Sequence, residues 1–273
     1  MGWHASLRLD YANEGRRSVA RFAHEGPLRI LQSLYPEGDE VCHNVLVHPP
    51  GGLVAGDTLD VRVTGSAGSH GLVTTPGASR FYRSEGAEAL QDVHVHLQAG
   101  ARLEWLPLEA LYYSGCAAHN RLRMRLEPGA ELLGWDLAAL GLPQAQQPFE
   151  RGSVLQHLEL EGAWLERGRI AAHDQRLLDG PLGLGGHRCL ATLFFVAGRD
   201  IPRQRRDDLL ECARAILDPH PAAGATAPGP RVVVVRVLAP LVEPALQLLK
   251  QVRRAWRPLL WNLPGVDPRG WAI

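Results

Sequence analysis

A weak repeat of alternating strands and glycine turns constrains this 273-residue chain more than any other feature. Val61-Arg-Val63 runs into a turn at Gly68 and out through Leu72-Val73. Val93-His-Val95-His-Leu97 enters Gly100-Ala101 and leaves through Leu103-Glu-Trp105-Leu106. Leu122-Arg-Met124-Arg-Leu126 enters Pro128-Gly129-Ala130 and leaves through Leu132-Leu133-Gly134-Trp135. A fourth unit runs Leu158-Glu-Leu160 into Gly162 and then Trp164-Leu165. The turn glycines recur roughly every 30 residues, a spacing typical of stacked supersecondary units. Successive side chains of a strand point to opposite faces, so Val93, Val95 and Leu97 share one face and His94 and His96 the other. Glycine permits the positive φ that a short hairpin turn demands. One such hairpin cannot bury its apolar face alone; stacked neighbours can. Residues 1–200 therefore read as a mainly β, stacked, β-helix-like body, with Leu7–Tyr11 and Leu28–Ile30 supplying early strands.

The pattern changes near residue 200. Leu209, Leu210, Ala213, Ile216 and Leu217 have helical spacing within Asp207–Leu217, and Asp218-Pro219 ends that helix. PHPAAGATAPGP, Pro219–Pro230, reads as a connector. Val232–Leu238 reads as a buried strand and Pro240–Trp256 as a second amphipathic helix. Arg253, Arg254 and Arg257 lie near its end, where cations suit the helix dipole. The tail WNLPGVDPRGWAI is broken by Pro and Gly and reads as carrying exposed aromatics. The expectation is one domain over 1–273, with a β body over 1–200 and two α-helices in the part from 201 to 273.

Composition narrows the partners. Lys+Arg and Asp+Glu are both 29, so no global basic field exists and nucleic acid is not an expected partner. Lys250 is the only lysine, a bias that GC-rich coding or arginine-based pairing would each produce. Cys42, Cys116, Cys189 and Cys212 form no CxxC pair, which points to reduced thiols in a cytoplasmic protein. The N-terminal segment shows no apolar core of a signal peptide, and no apolar run reaches the roughly 18 residues of a membrane span. A cytoplasmic location without membrane association is expected.

Sites of known chemistry are absent as motifs. Gly51-Gly52 and Gly56 match neither GxGxxG nor a P-loop, and there is no GxSxG or HExxH. Asp57 and Asp60 near a strand start read as turn-capping aspartates or as a carboxylate pair lining a polar channel. Glu104, Glu109 and Asp136 carry the same two readings, and Glu104 must face opposite Trp105 on its strand. His94-x-His96 puts two imidazoles on one face, able to chelate a metal or simply to face solvent. Arg80-Phe81-Tyr82-Arg83 has the guanidinium–aromatic mix of an interface, and also fits an ordinary alternating strand.

HPPGGLVAGDTLD, TTPGASRFYRSEG, GARLEWLPLEALYYSG, PGAELLGWDLAALG, GPLGLGG and a closing PRGWAI resemble, in this order and spacing, the urease accessory proteins called UreD or UreH. Ala55 stands where that family usually has glycine. The resemblance implies a non-catalytic assembly factor with a mostly β fold. It would bind apo-urease and a helical accessory protein of the UreF type. Through the latter it would meet the nickel-carrying GTPase of the UreG type. It would hold no tightly bound cofactor, only nickel in transit. Asp57, Asp60, Glu104, Glu109 and Asp136, with His94 and His96, are the candidates to line a nickel passage. Arg80, Phe81, Tyr82, Arg83, Trp256 and Trp261 are the candidates for partner contact.

Two rival readings are distinguishable. A metal-dependent hydrolase would assemble Asp57 and Asp60 with His94 and His96. A β-solenoid carbohydrate-binding module would expose Trp105, Trp135 and Trp164 in one row.

Overall fold

The computed structural model describes residues 2–271. Two sheets face each other. Sheet I has the order Trp164–Ala171, Gly152–Leu160, Cys116–Leu126, Ala89–Leu97, Thr58–Gly65, His4–Glu14 and Arg17–Glu25. Sheet II runs Ala223–Gly229, Val232–Ala239, Cys189–Ala197, Glu131–Leu140, Arg102–Leu106, His70–Thr74, Cys42–Val47 and Arg29–Leu34. Two short strands, Ser79–Phe81 and Ala110–Tyr112, pair in parallel on a third side.

The chain coils through these sides in turn. Thr58–Gly65 in sheet I leads to His70–Thr74 in sheet II, then to Ser79–Phe81, then back to sheet I at Ala89–Leu97. The next coil repeats this path, and neighbouring coils pair in parallel. This is the expected stacked β body. His70 pairs with Arg102 and Arg102 with Glu131, so a coil takes about 30 residues.

The turns differ from the hairpins that local pattern suggests. Gly68, Gly100 and Gly129 (φ 73°, 74° and 90°) are corners where the chain leaves sheet I for sheet II. They stack: a Cβ on Gly100 would lie 3.8 Å from the Gly68 nitrogen, and one on Gly129 3.6 Å from the Gly100 nitrogen. Only the fourth unit is a hairpin, joining antiparallel Gly152–Leu160 and Trp164–Ala171 through Gly162. A corner and a hairpin need the same backbone sign, so glycine alone does not separate them.

Among the described residues there are three α-helices: α1 (Gln175–Asp179), α2 (Arg203–Leu217) and α3 (Val242–Trp261). The two expected helices are α2 and α3, each longer than its periodicity indicated, whereas α1 had no periodic signal. The expected connector Pro219–Pro230 instead contains Ala223–Gly229, paired antiparallel with Val232–Ala239 at the edge of sheet II. Its small residues suit an edge strand under α2.

Sheet II is buried on both faces, so the protein has two cores. One fills the coil, with Val61, Val95, Leu103, Trp105, Met124 and Phe194. The other lies between sheet II and the helices, with Leu72, Leu133, Trp135, Phe195, Leu249 and Trp256. Trp105 and Trp135 are buried in different cores and Trp164 is half-buried against Phe194. No exposed indole row exists among the described residues, which removes the carbohydrate-platform reading.

Gly152 tests the coil. Its φ is 92°, and a Cβ there would overlap the Cys116 carbonyl of the adjacent coil. Gly152→Ala should destabilise the protein by on the order of 3 kcal/mol in denaturant unfolding. Gly162→Ala, where a Cβ meets nothing within 4 Å, should cost markedly less.

Candidate functional site

The interior of the coil carries an unusual polar line. Parallel register places Gln91, Asn120 and Gln156 side by side across sheet I. All three share the inward face of Val93, Leu122 and Leu158. Asp136 of sheet II faces them. Its two oxygens accept from Asn120 Nδ2 at 2.8 Å and Gln156 Nε2 at 2.7 Å, and Gln91 Nε2 donates to Asn120 Oδ1 at 3.1 Å. Burial raises the Asp136 carboxyl to about 6 against the pull of the two amides; the Glu166 carboxylate adds to the rise and Arg236 opposes it. The Tyr112 hydroxyl is buried without a hydrogen-bond partner, and burial followed by the Asp136 charge pushes its phenol upward.

This line joins two ends of the coil. At one end Gln91 lines a cavity of about 230 Å³, together with His48, Arg80, Val93 and Trp105. Burial lowers His48, and its Nε2 is buried without a partner. At the other end, Asp136, Thr192 and Arg236 occupy one register row of sheet II, and Arg236 pairs with Glu166. That pair is about one-third exposed, with side-chain values of 38% and 31%.

Of the candidate passage residues, only Asp136 lies on this line. Asp57 is buried in a loop, where its oxygens accept the backbone N–H of Trp3 at 3.1 Å and of Val54 at 2.9 Å. It is a turn cap that pins the N-terminal strand. Asp60, His94 and His96 lie on the outer face of sheet I. Asp60 pairs with Arg62 at 3.0 Å. His94 Nε2 sits 3.1 Å from Asp92 and 2.7 Å from Arg123, and His96 lies 3.6 Å from Glu127. Arg62, His94 and Arg123 form one row across three strands. That row is hostile to a cation, and no group of three or more His, Cys, Asp or Glu poised for a metal occurs among the described residues. The hydrolase constellation is therefore not assembled. Glu109 is half-buried at the edge of a separate groove.

Glu104 faces neither solvent nor the coil interior. Its carboxylate is fully buried between sheet II and α3. Arg253 donates to Oε2 from Nε at 2.8 Å, and Arg257 Nε lies 3.2 Å from Oε1. Arg257 also donates to Glu37 at 2.6 and 3.1 Å, and Glu37 meets His43 Nε2 at 2.8 Å. Burial alone would raise Glu104, but Arg253, His70 and Arg257 together hold it well below the usual carboxylate range. Glu37 is lowered too: burial opposes ionisation there, and His43 and Arg257 overcome it. Burial depresses His70 despite Glu104 at 3.7 Å.

The partner candidates also divide. Phe81 is fully buried and stacks on Tyr112 at 5.0 Å. Trp256 and Trp261 are buried, with indole N–H groups donated to the Leu209 carbonyl at 2.9 Å and to Glu131 at 2.7 Å. These three are core residues. Arg80 is half-buried and lines the cavity, whereas Arg83 is exposed beside the tilted Tyr82–Tyr113 pair, 4.8 Å apart. In the tail, Trp271 is half-buried, packs at a tilt against Trp135 with ring centroids 5.0 Å apart and donates to Thr74 Oγ1 at 2.9 Å. Ala272 and Ile273 of the closing motif lie outside the described residues. The four cysteines are free, and burial pushes Cys116 and Cys189 up to about 12, which makes them poor metal ligands.

Sequence reasoning passed over Gln91, Asn120, Gln156 and Arg236. One signal was available: Gln91, Asn120 and Gln156 interrupt otherwise apolar inward positions at coil spacing.

Three outcomes follow from these charges. Arg257→Ala leaves buried Glu104 and Glu37 short of a cation and should cost about 3–5 kcal/mol in denaturant unfolding. Ionised Glu104 favours the folded state at neutral pH, and this contribution should fade as pH falls below its unfolded value of about 4.3. Asp136 has the opposite sign. Its raised folded value of about 6 means that its contribution is full below the unfolded value and lost as pH rises through 6. Asp136→Asn should therefore gain stability over the parent between pH 5 and 8, by at most about 3 kcal/mol, read from unfolding curves at each pH.

The profile described as UreD urease accessory protein matches residues 4–272. The protein named urease accessory protein UreD of Variovorax paradoxus is 66% identical over 275 residues, covering 100% of both chains. Its namesake in Paracidovorax citrulli is 63% identical over 276 residues, again covering 100% of both. That of Leptothrix cholodnii is 53% identical and covers 99% of each.

Proposed function

This chain belongs to the UreD family of urease accessory proteins and serves urease maturation; within that role, we propose that it is a non-catalytic scaffold for nickel insertion. It would hold apo-urease together with a helical accessory protein of the UreF type and, through it, the nickel-carrying GTPase of the UreG type. The setting would be cytoplasmic. No helix among the described residues is long and apolar enough to cross a membrane.

The observation that carries the reading is the Gln91–Asn120–Asp136–Gln156 line inside the coil. A half-buried carboxylate held by amides inside the coil, with a cavity at one end and an ion pair at the other, is costly in a core built only for stability. It suits a divalent ion that must pass without being trapped. Oxygen donors bind such an ion weakly, whereas several imidazoles or thiolates would retain it. Burial raises Asp136 to about 6, so near neutral pH it would give up its proton readily to an arriving cation. The Glu166–Arg236 pair would have to part for an ion to leave at that end.

Reconstitution tests both levels. Apo-urease, nickel, bicarbonate and the other accessory proteins are assayed for urease activity with and without this chain. Equal activation in the two mixtures would end the scaffold reading. Asp136→Asn should slow activation at least several-fold while the complex still assembles; activation at the parent rate would remove the passage and leave only the scaffold.

A further inference from the structure

We propose that the Leu182 loop and the groove beside it form one docking surface for an amphipathic helix with a basic flank, carried by the helical accessory protein. The proposal rests on the maturation reading above.

The loop connects Trp164–Ala171 to Cys189–Ala197 and holds itself rigid. Asp174 caps α1 by accepting the Leu177 N–H at 3.0 Å. Backbone N–H groups of Leu184 and Gly186 donate to the carbonyls of Leu177 and Leu178 at 2.7 and 2.9 Å. A Cβ on Gly180 or Gly183 would overlap the Arg176 or Leu177 carbonyl, so the glycines of GPLGLGG are required by the loop's own closure. Leu178 and Leu184 are buried and anchor it. Leu182, between them, is 101% exposed. Single exposed leucines are common on protein surfaces. This one is held out by a closed backbone, so docking it costs little ordering.

A groove of about 530 Å³ lies next to it, with Leu111, Leu142, Leu241 and Leu246 among its walls. Arg188 ties the two together: it lines the groove and donates to the Leu178 carbonyl at 3.2 Å and to Asp179 at 2.7 Å in the loop. Arg188 is the only cation among the groove residues and is engaged by Asp179, leaving Glu109 and Glu243 as the groove's charge. Glu243 sits in the first turn of α3, where the helix dipole favours the carboxylate. An apolar floor with acidic edges complements a helix with apolar residues at i, i+3, i+4 and i+7 and Lys or Arg alongside. Leu182 would enter a pocket of the same partner.

The test is the affinity of the purified full-length chain for the purified helical accessory protein, with apo-urease as the second probe. Leu182→Asp and Glu243→Arg should each weaken binding to the accessory protein by about tenfold or more, with both variants still unfolding cooperatively and Glu243→Arg losing no more than about 1 kcal/mol to the helix dipole. The parent's affinity should fall between about 50 and 300 mM salt, and less steeply for Glu243→Arg. Affinities within about twofold of the parent for both variants would overturn the surface, as would a loss confined to apo-urease. If the parent itself fails to bind the accessory protein, the proposal falls together with the reading beneath it; normal parent binding with unaltered variants sinks the surface alone.

Discussion

The helical half of this protein depends on where one buried carboxylate is placed. Glu104 projects from sheet II into the buried layer under α3, and two arginines one turn apart on α3 meet it. The pair fixes the rotation of α3 about its axis, because only one helix face carries both guanidiniums. It also ties in distant segments. Arg257 reaches Glu37 ahead of strand Cys42–Val47, and Arg253 donates to the Val266 carbonyl at 2.9 Å in the tail. Burying such a network gives little net stability, since desolvation opposes the attraction. Its effect is on register: any other docking of α3 strands a charge in the core.

The coil has a different logic. Corner glycines let each coil lie directly on the last, so a residue at one position is covered by its counterparts in neighbouring coils. Apolar residues stacked this way make an ordinary core. Gln91, Asn120 and Gln156 stacked this way make a continuous polar lane, which Asp136 completes from the facing sheet. The two halves have separate roles. The coil encloses the polar lane, and the helical layer packs against the outer face of the sheet that completes it. The groove and the Leu182 loop lie at the end of α3 remote from the Glu104 network, where exposed surface is available for a partner.

Much of the architecture was legible in the chain itself. Period-2 alternation placed Val93 and Val95 inside and His94 and His96 outside, because a pleated strand has only two faces. The order and spacing of motifs such as HPPGGLVAGDTLD and TTPGASRFYRSEG placed the chain in its family. Glycine spacing announced stacked units, though not whether Gly100 turns a corner or a hairpin, since both need the same positive φ. The Pro/Ala/Gly run near Ala225 lacked strand-forming side chains, yet Val232–Ala239 offered it a free edge.

By itself, then, the sequence determined the local faces, the coil period, the family and the absence of a catalytic motif. Only the tertiary structure decided what lies opposite each face. Alternation required Glu104 to point away from Trp105, but whether water, a channel or α3 waits there depends on segments about 150 residues apart. The same holds for Trp256, at the end of the expected helix, and Trp261, at the start of the Pro/Gly-broken tail; both read as partner contacts and are core residues, because α3 runs on to Trp261. Asp57 and Asp136 look alike as isolated acids. One is satisfied by two nearby N–H groups, the other is enclosed by amides from different coils, and such long-range enclosure leaves no trace in local spacing.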